Sequence, residues 1–218
     1  MALNTPVRVP ATGVVLDADV TVPPDARAVV VFAHGSGSSR LSPRNRTVAE
    51  RLTADGLATV LTDLLTREEA GVDAVTAELR FDVSLLAGRL TEVVDWVGDQ
   101  PGLGALPLGL FGASTGAAAA LITAAARPDR VRAVVSRGGR PDLAGDGLPE
   151  VRAPVLLIVG ERDPQVRQLN AVAATALPAL PVPPVLRVVP GATHLFVEPG
   201  TLEQAAAMAA DWFGTHLA

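Results

Sequence analysis

From about residue 27 onward the chain alternates short runs of β-branched and other apolar residues with longer stretches whose apolar residues recur every three or four positions. A strand buried on both faces needs the first pattern, and a helix lying on a sheet needs the second. The alternation therefore confines the chain to an α/β fold, a mostly parallel sheet with helices on both faces. The expected strands are Ala28–His34, Ala58–Asp63, Leu106–Ala113, Val131–Ser136, Pro154–Val159 and Val185–Val189. An N-terminal pair near Val7–Pro10 and Gly13–Val22 is expected as an antiparallel hairpin at one edge, which brings the sheet to about eight strands. Helices are expected at Pro43–Asp55, Glu78–Val97, Thr115–Ala126, Pro164–Leu177 and Leu202–His216, with Arg80, Asp82, Arg89 and Glu92 on the solvated side of the second.

With 218 residues, 49% of them apolar, the chain can bury one good core and is too short for two ordinary domains, so residues 1–218 are read as a single domain. Pro178–Pro184 reads as a loop between a helix and a strand, because proline continues neither ladder. The alanine clusters Ala117–Ala120 and Ala205–Ala210 suit closely packed helices. The stretch between Val131–Ser136 and Val155–Val159 is too short for a helical lid, so an open site is expected.

Several chemistries are excluded by what the chain lacks. It contains no Cys, Tyr or Lys. Thiol nucleophiles, disulfides, thiolate metal sites, P-loop ammonium groups and Schiff-base amines are thereby removed. A net charge of −5 offers no basic excess for a nucleic-acid backbone. The first residues lack a secretory pattern and no apolar run reaches membrane-spanning length, so a cytoplasmic protein with neither nucleic-acid nor membrane partners is expected. No metal or other cofactor is expected either.

One motif carries chemistry. In Leu108-Gly-Leu-Phe-Gly112-Ala-Ser114-Thr-Gly116 a strand runs into G-x-S-x-G and then directly into a small-residue helix, the order that a nucleophile elbow requires. Glycines two before and two after the serine leave room for a sharp turn that lifts its hydroxyl above the sheet. A dinucleotide-binding loop is the rival reading, but such a loop belongs after the first strand and its dehydrogenase form needs a Tyr and a Lys.

Serine needs an imidazole to take its proton and a carboxylate to orient that imidazole. The chain has three histidines. His194 follows the last expected strand and is the best-placed base, whereas His34 suits a loop-orienting role and His216 a helix C-terminus. Asp163 leaves the strand before it and is the candidate acid, with a plain helix N-cap as its other reading and Glu161 or Asp142 as substitutes. The order Ser114, Asp163, His194 is that of the α/β-hydrolases. The oxyanion donors are expected to be the N–H groups of Thr115, just after the serine, and of Ser36 in the loop His34-Gly-Ser-Gly-Ser-Ser39.

Arg40, Arg44, Arg46, Arg137 and Arg140 all follow strands or loops at the carboxyl-end rim. Arg40 and Arg137 are taken as candidate substrate-binding residues for an anionic ester. The alternative is that these arginines form ordinary pairs with Asp and Glu.

At this point the sequence resembles the dienelactone-hydrolase-like branch of the α/β-hydrolases over nearly its whole length. The resemblance lies in His34-Gly-Ser-Gly-Ser-Ser-Arg40, Ser42-Pro-Arg-Asn-Arg46, Thr62-Asp-Leu-Leu-Thr66, Gly112-Ala-Ser-Thr-Gly116, Ser136-Arg-Gly-Gly-Arg-Pro-Asp142 and Gly191-Ala-Thr-His194. It implies a lidless α/β-hydrolase fold, no cofactor, and cleavage of small esters or lactones through an acyl-enzyme on Ser114, with Asp163 and His194 completing the triad. Dienelactone hydrolases proper use a cysteine nucleophile; the serine here implies carboxylesterase chemistry instead. Perhydrolysis or acyl transfer by the same triad, and use as a non-catalytic binding module, are the alternatives. Similar sequences occur fused to a phosphoribosyltransferase domain, for which 218 residues leave no room, so any association is expected between chains and a homo-oligomer is left open.

Overall fold

A computed structural model describes residues 3–178 and 182–218. Its eight strands are β1 (Leu3–Ala11), β2 (Val14–Val22), β3 (Ala28–Ala33), β4 (Leu57–Thr62), β5 (Leu108–Ala113), β6 (Val131–Arg137), β7 (Val155–Gly160) and β8 (Val185–Val189). They form one sheet in the order β1-β2-β4-β3-β5-β6-β7-β8. The β1–β2 hairpin is antiparallel, as expected, and β2 also meets β4 antiparallel; from β4 to β8 every pairing is parallel.

The parallel strands are the fully apolar runs. β3, β4, β5 and β7 are buried at every position, which fits a sheet covered on both faces. On one face lie α3 (Val83–Gly98), α4 (Thr115–Ala126) and α5 (Pro164–Ala176); on the other lie α1 (Pro43–Ala54) and α6 (Thr201–His216). Ala117–Ala120 are wholly buried, so along this stretch α4 packs closely against its neighbours through methyl groups. Ala205, Ala206, Ala209 and Ala210 are likewise buried on α6, together with Phe213. Between β6 and β7 the chain makes only 3-10 turns over Pro141–Glu150, and no lid covers the carboxyl edge among the described residues. The Pro-rich loop expected at Pro178–Pro184 falls partly on residues 179–181, which lie outside the described residues.

Two expectations are corrected. The helix expected at Glu78–Val97 begins only at Val83, where Asp82 caps it by accepting from Leu85 N at 2.9 Å. A short 3-10 turn at Leu79–Phe81 precedes it. An additional helix, α2 (Arg67–Thr76), lies before that turn. It buries only Asp73 and so carries no apolar periodicity to read; its signal is the capping box formed by Thr66 and Glu69. The same helix explains why Arg89 is not solvated. Arg89 is buried, with its guanidinium on both carboxylate oxygens of Glu69 at 2.6 Å and on the Leu64 carbonyl at 2.8 Å. Arg80 likewise donates to Asp73 at 2.7 Å.

No helix among the described residues is long and apolar enough to cross a membrane.

Candidate active site

β5 ends at Ala113, and the chain turns sharply through Ser114 into α4. Ser114 has φ 52° and ψ −122°, a region that costs a residue with a side chain of the order of 1–3 kcal/mol and persists only where surrounding structure enforces it. The enforcement is visible at the flanking glycines. A Cβ at Gly112 would stand 2.4 Å from Ala117 Cα, and one at Gly116 2.4 Å from the Ala33 carbonyl oxygen, so α4 and β3 close on the turn with no room for any side chain. Backbone bonds pin the turn further: Ser114 N donates to Arg137 O at 3.3 Å and Arg140 N donates to Ser114 O at 3.0 Å.

His194 is delivered by the loop after β8, and its Nδ1 lies 2.6 Å from Asp163 Oδ2. Asp163 leaves the end of β7. Its other oxygen accepts from Val166 N at 3.4 Å, so the carboxylate caps α5 and orients the histidine together. The N-cap and the contact with His194 are thus made by the same carboxylate. Ser114 and His194 line one cavity of about 210 Å³ together with Ser36 and Arg137. Among the described residues no hydrogen bond joins Ser114 to His194. The substitutes for Asp163 are occupied elsewhere: Glu161 accepts from Gly191 N at 2.7 Å, and Asp142 pairs with Arg140 at 2.8 Å. His216 stacks on Trp212 with ring centroids 4.2 Å apart, in the last turn of α6.

The loop after β3 runs hard against Ser114. A Cβ on Gly35 would lie 3.0 Å from Ser114 Cβ. His34 is buried, its Nδ1 donating to Gly35 O at 2.9 Å while Nε2 accepts from Leu64 N at 3.0 Å. That pairing requires the neutral ring, and burial holds its pKa below the usual value. Ser38 N also donates to Gly35 O at 3.2 Å. Because a trans peptide points its N–H opposite its carbonyl, tying the Gly35 oxygen sets the direction of the Ser36 N–H. Thr115 opens α4, where the first N–H groups have no partner inside the helix.

The five rim arginines divide. Arg40 does not reach the cavity; its backbone N–H donates to Asp63 Oδ1 at 2.6 Å, its guanidinium bonds Asp63 Oδ2, and Asp19 stands 3.6 Å away. It lines a separate, larger pocket that shares only the Gly35–Ser38 loop with the cavity, and its assignment to the substrate is corrected to a loop anchor held by two carboxylates. Arg46 and Arg140 are paired with Asp19 and Asp142. Arg137 does line the cavity, and so does Arg44, which the sequence reading left out of the site. Arg137 is 6% exposed, donates to Asn45 Oδ1 at 3.3 Å and lies 5.5 Å from the centre of the Phe196 ring. Burial, and then the like charge of Arg44, push its pKa down to about 10. Asn45 and Phe196 were also missed. Both sit in stretches whose local pattern announces only a helix start and a loop.

Among the described residues no group of three or more His, Asp or Glu is gathered as a metal would require.

A family model described as the dienelactone hydrolase family matches residues 16–216. The chain belongs to the dienelactone hydrolase family. A crystal structure of a dienelactone hydrolase from Anabaena variabilis is 50% identical, with a TM-score of 0.96, covering 100% of this chain and 99% of that one. Est1E from Butyrivibrio proteoclasticus, at 16% identity and a TM-score of 0.80 over 97% of this chain and 98% of its own, shares the fold. A Mycobacterium tuberculosis protein named as a putative phosphoribosyl transferase is 57% identical over 97% of this chain and 46% of its own length. The chain thus spans about half of the curated relatives it matches. Membership in the dienelactone hydrolase family makes this a hydrolase frame, and the eight-stranded, lidless sheet agrees with it.

Proposed function

We propose that the chain is a serine carboxylesterase that cleaves small esters or lactones through an acyl-enzyme on Ser114. The observation that carries this reading is the Asp163–His194 hydrogen bond at 2.6 Å, with His194 and the strained Ser114 sharing one cavity. Asp163 holds Nδ1 as the donor, which leaves Nε2 free as a base. His194 takes the Ser114 proton as Oγ attacks the carbonyl carbon. The resulting oxyanion is held by the N–H groups of Ser36 and Thr115, the latter at the positive end of α4. Collapse breaks the ester C–O bond, and the alcohol departs with the proton that His194 carries. Water then attacks the acyl carbon, gives its proton to His194, and the acid leaves as that proton returns to Ser114. The absence of Cys and the serine at the elbow support an oxygen nucleophile. The transferase in the name of the Mycobacterium tuberculosis relative is left with that longer protein, more than half of which lies outside the match.

The test is turnover of p-nitrophenyl acetate by wild type, Ser114→Ala and Asp163→Asn. Both variants are expected to lose at least about a thousandfold in kcat, as triads do when one member is removed. Undiminished turnover by Ser114→Ala would overturn the reading.

A further inference from the structure

Arginine is the chain's only permanent side-chain cation, and nearly every arginine near the carboxyl edge has a carboxylate. Arg44 and Arg137 do not. The Nε of each is buried without a hydrogen-bond partner, and among the described residues lining their cavity there is no Asp or Glu. Asp163 stands behind His194 and is engaged by it. Arg137 keeps one long bond to a neutral amide and a face contact with Phe196. Neither replaces an anion, and a buried, unpaired charge costs several kcal/mol. Arg137 bears that cost and the half-buried Arg44 adds a like charge beside it, so their counter-charge is to be sought in a ligand.

The rest of the lining fits the same ligand. Ser36, Ser38 and Ser42 bring hydroxyl donors, and Ser42 is the N-cap and Asn45 a first-turn residue of the 12-residue helix α1. The positive end of that helix therefore adds to the two guanidiniums. Ser42 Oγ accepts from Asn45 N and keeps its own proton for a further acceptor. The charge count discriminates between anions. A carboxylate would neutralise one of the two cations and leave the other uncompensated. A phosphate monoester carries about −1.5 to −2 charges at pH 7 and three strong acceptor oxygens, enough for both.

We propose that Arg44 and Arg137 form, beside Ser114, a subsite for a phosphate dianion, so that the esters cleaved here carry a phosphoryl group close to the scissile carbonyl. This rests on the esterase reading for its catalytic half only, because the subsite itself can be tested without turnover.

Inorganic phosphate titrated calorimetrically into Ser114→Ala is expected to bind at one site per chain, with affinity reduced at least about tenfold by adding Arg44→Gln, and acetate is expected to bind at least about tenfold more weakly than phosphate. Arg44 is half-buried, so it is the variant of choice; Arg137→Gln, more deeply placed, is a second test. Phosphate failing to saturate, affinity untouched by Arg44→Gln, or acetate binding as tightly as phosphate would each overturn the subsite. In wild type, the acetyl ester of 2-hydroxyethyl phosphate should exceed propyl acetate at least about tenfold in kcat/KM, through KM, and Arg44→Gln should bring that ratio close to unity. Turnover of neither ester would count against the esterase reading, whereas the calorimetry judges the phosphate subsite by itself.

Discussion

The rim built by β2, β4, α2 and α3 and the cavity beside Ser114 are neighbours that share one loop, yet they treat charge in opposite ways. On the rim, Arg40, Arg46, Arg80 and Arg89 are each matched to Asp63, Asp19, Asp73 or Glu69. In the cavity Arg44 and Arg137 are unmatched and Ser114 is strained, and next to it in the chain fold the buried Ser136 and Thr115 hydroxyls have no partner among the described residues. The rim obeys the rules that make a fold stable; the cavity breaks several at once. Such concentrated violations mark places where a sequence is shaped for a ligand.

That contrast should appear in stability measurements. Glu69→Gln strands the buried Arg89 and is expected to lower the unfolding free energy by about 2 kcal/mol in urea titration, less than for a fully buried pair because the Glu69 side chain is 27% exposed. Glu69 also completes the capping box of α2, so the loss includes that helix start. On the cavity side the sign reverses. Arg137→Met removes an uncompensated charge and is expected to raise the unfolding free energy by about 1–2 kcal/mol in the same assay. A loss of stability there would show that Arg137 is a structural residue and would erase the contrast.

The smallest effect belongs to the junction of the two regions, at His34. Its folded pKa is lowered by burial, so the unfolded chain binds the proton first as pH falls. Stability from this group is therefore full at pH values well above the ordinary histidine pKa and declines as pH falls through it toward the lowered folded value. His34→Gln should be less stable at neutral pH but should lose that component of the slope between pH 7.5 and 5.5, measured by urea titration at each pH. Glu69 acts in a separate, more acidic window: its pKa is lowered first by the Arg89 hydrogen bond, so its contribution is lost only as pH falls below the ordinary carboxylate range.

The same contrast explains what could be read from the amino-acid sequence. The parallel strands, the hairpin and the elbow were legible because each rests on a local pattern: β-branched runs, alternating burial, and G-x-S-x-G between strand and helix. The gathering of Ser114, Asp163 and His194 was legible because each follows a strand at the same edge of the sheet, in an order that few other residues of this chain can fill. Helix α2 was not, because it buries one aspartate and no apolar stripe. The division of the arginines was not either. Whether Arg40 or Arg44 faces the cavity depends on where Asp63 and Asp19 stand across the sheet, a contact over more than twenty residues that no local pattern records.

The central claim, that Ser114 is the nucleophile, is tested most directly by labelling the wild-type chain with a fluorophosphonate and mapping the modified residue by peptide mass spectrometry. The account predicts a single adduct on Ser114, formed more slowly in Asp163→Asn as the histidine loses its orientation. An adduct on another residue, or ester turnover by a chain whose Ser114 stays unlabelled, would contradict it.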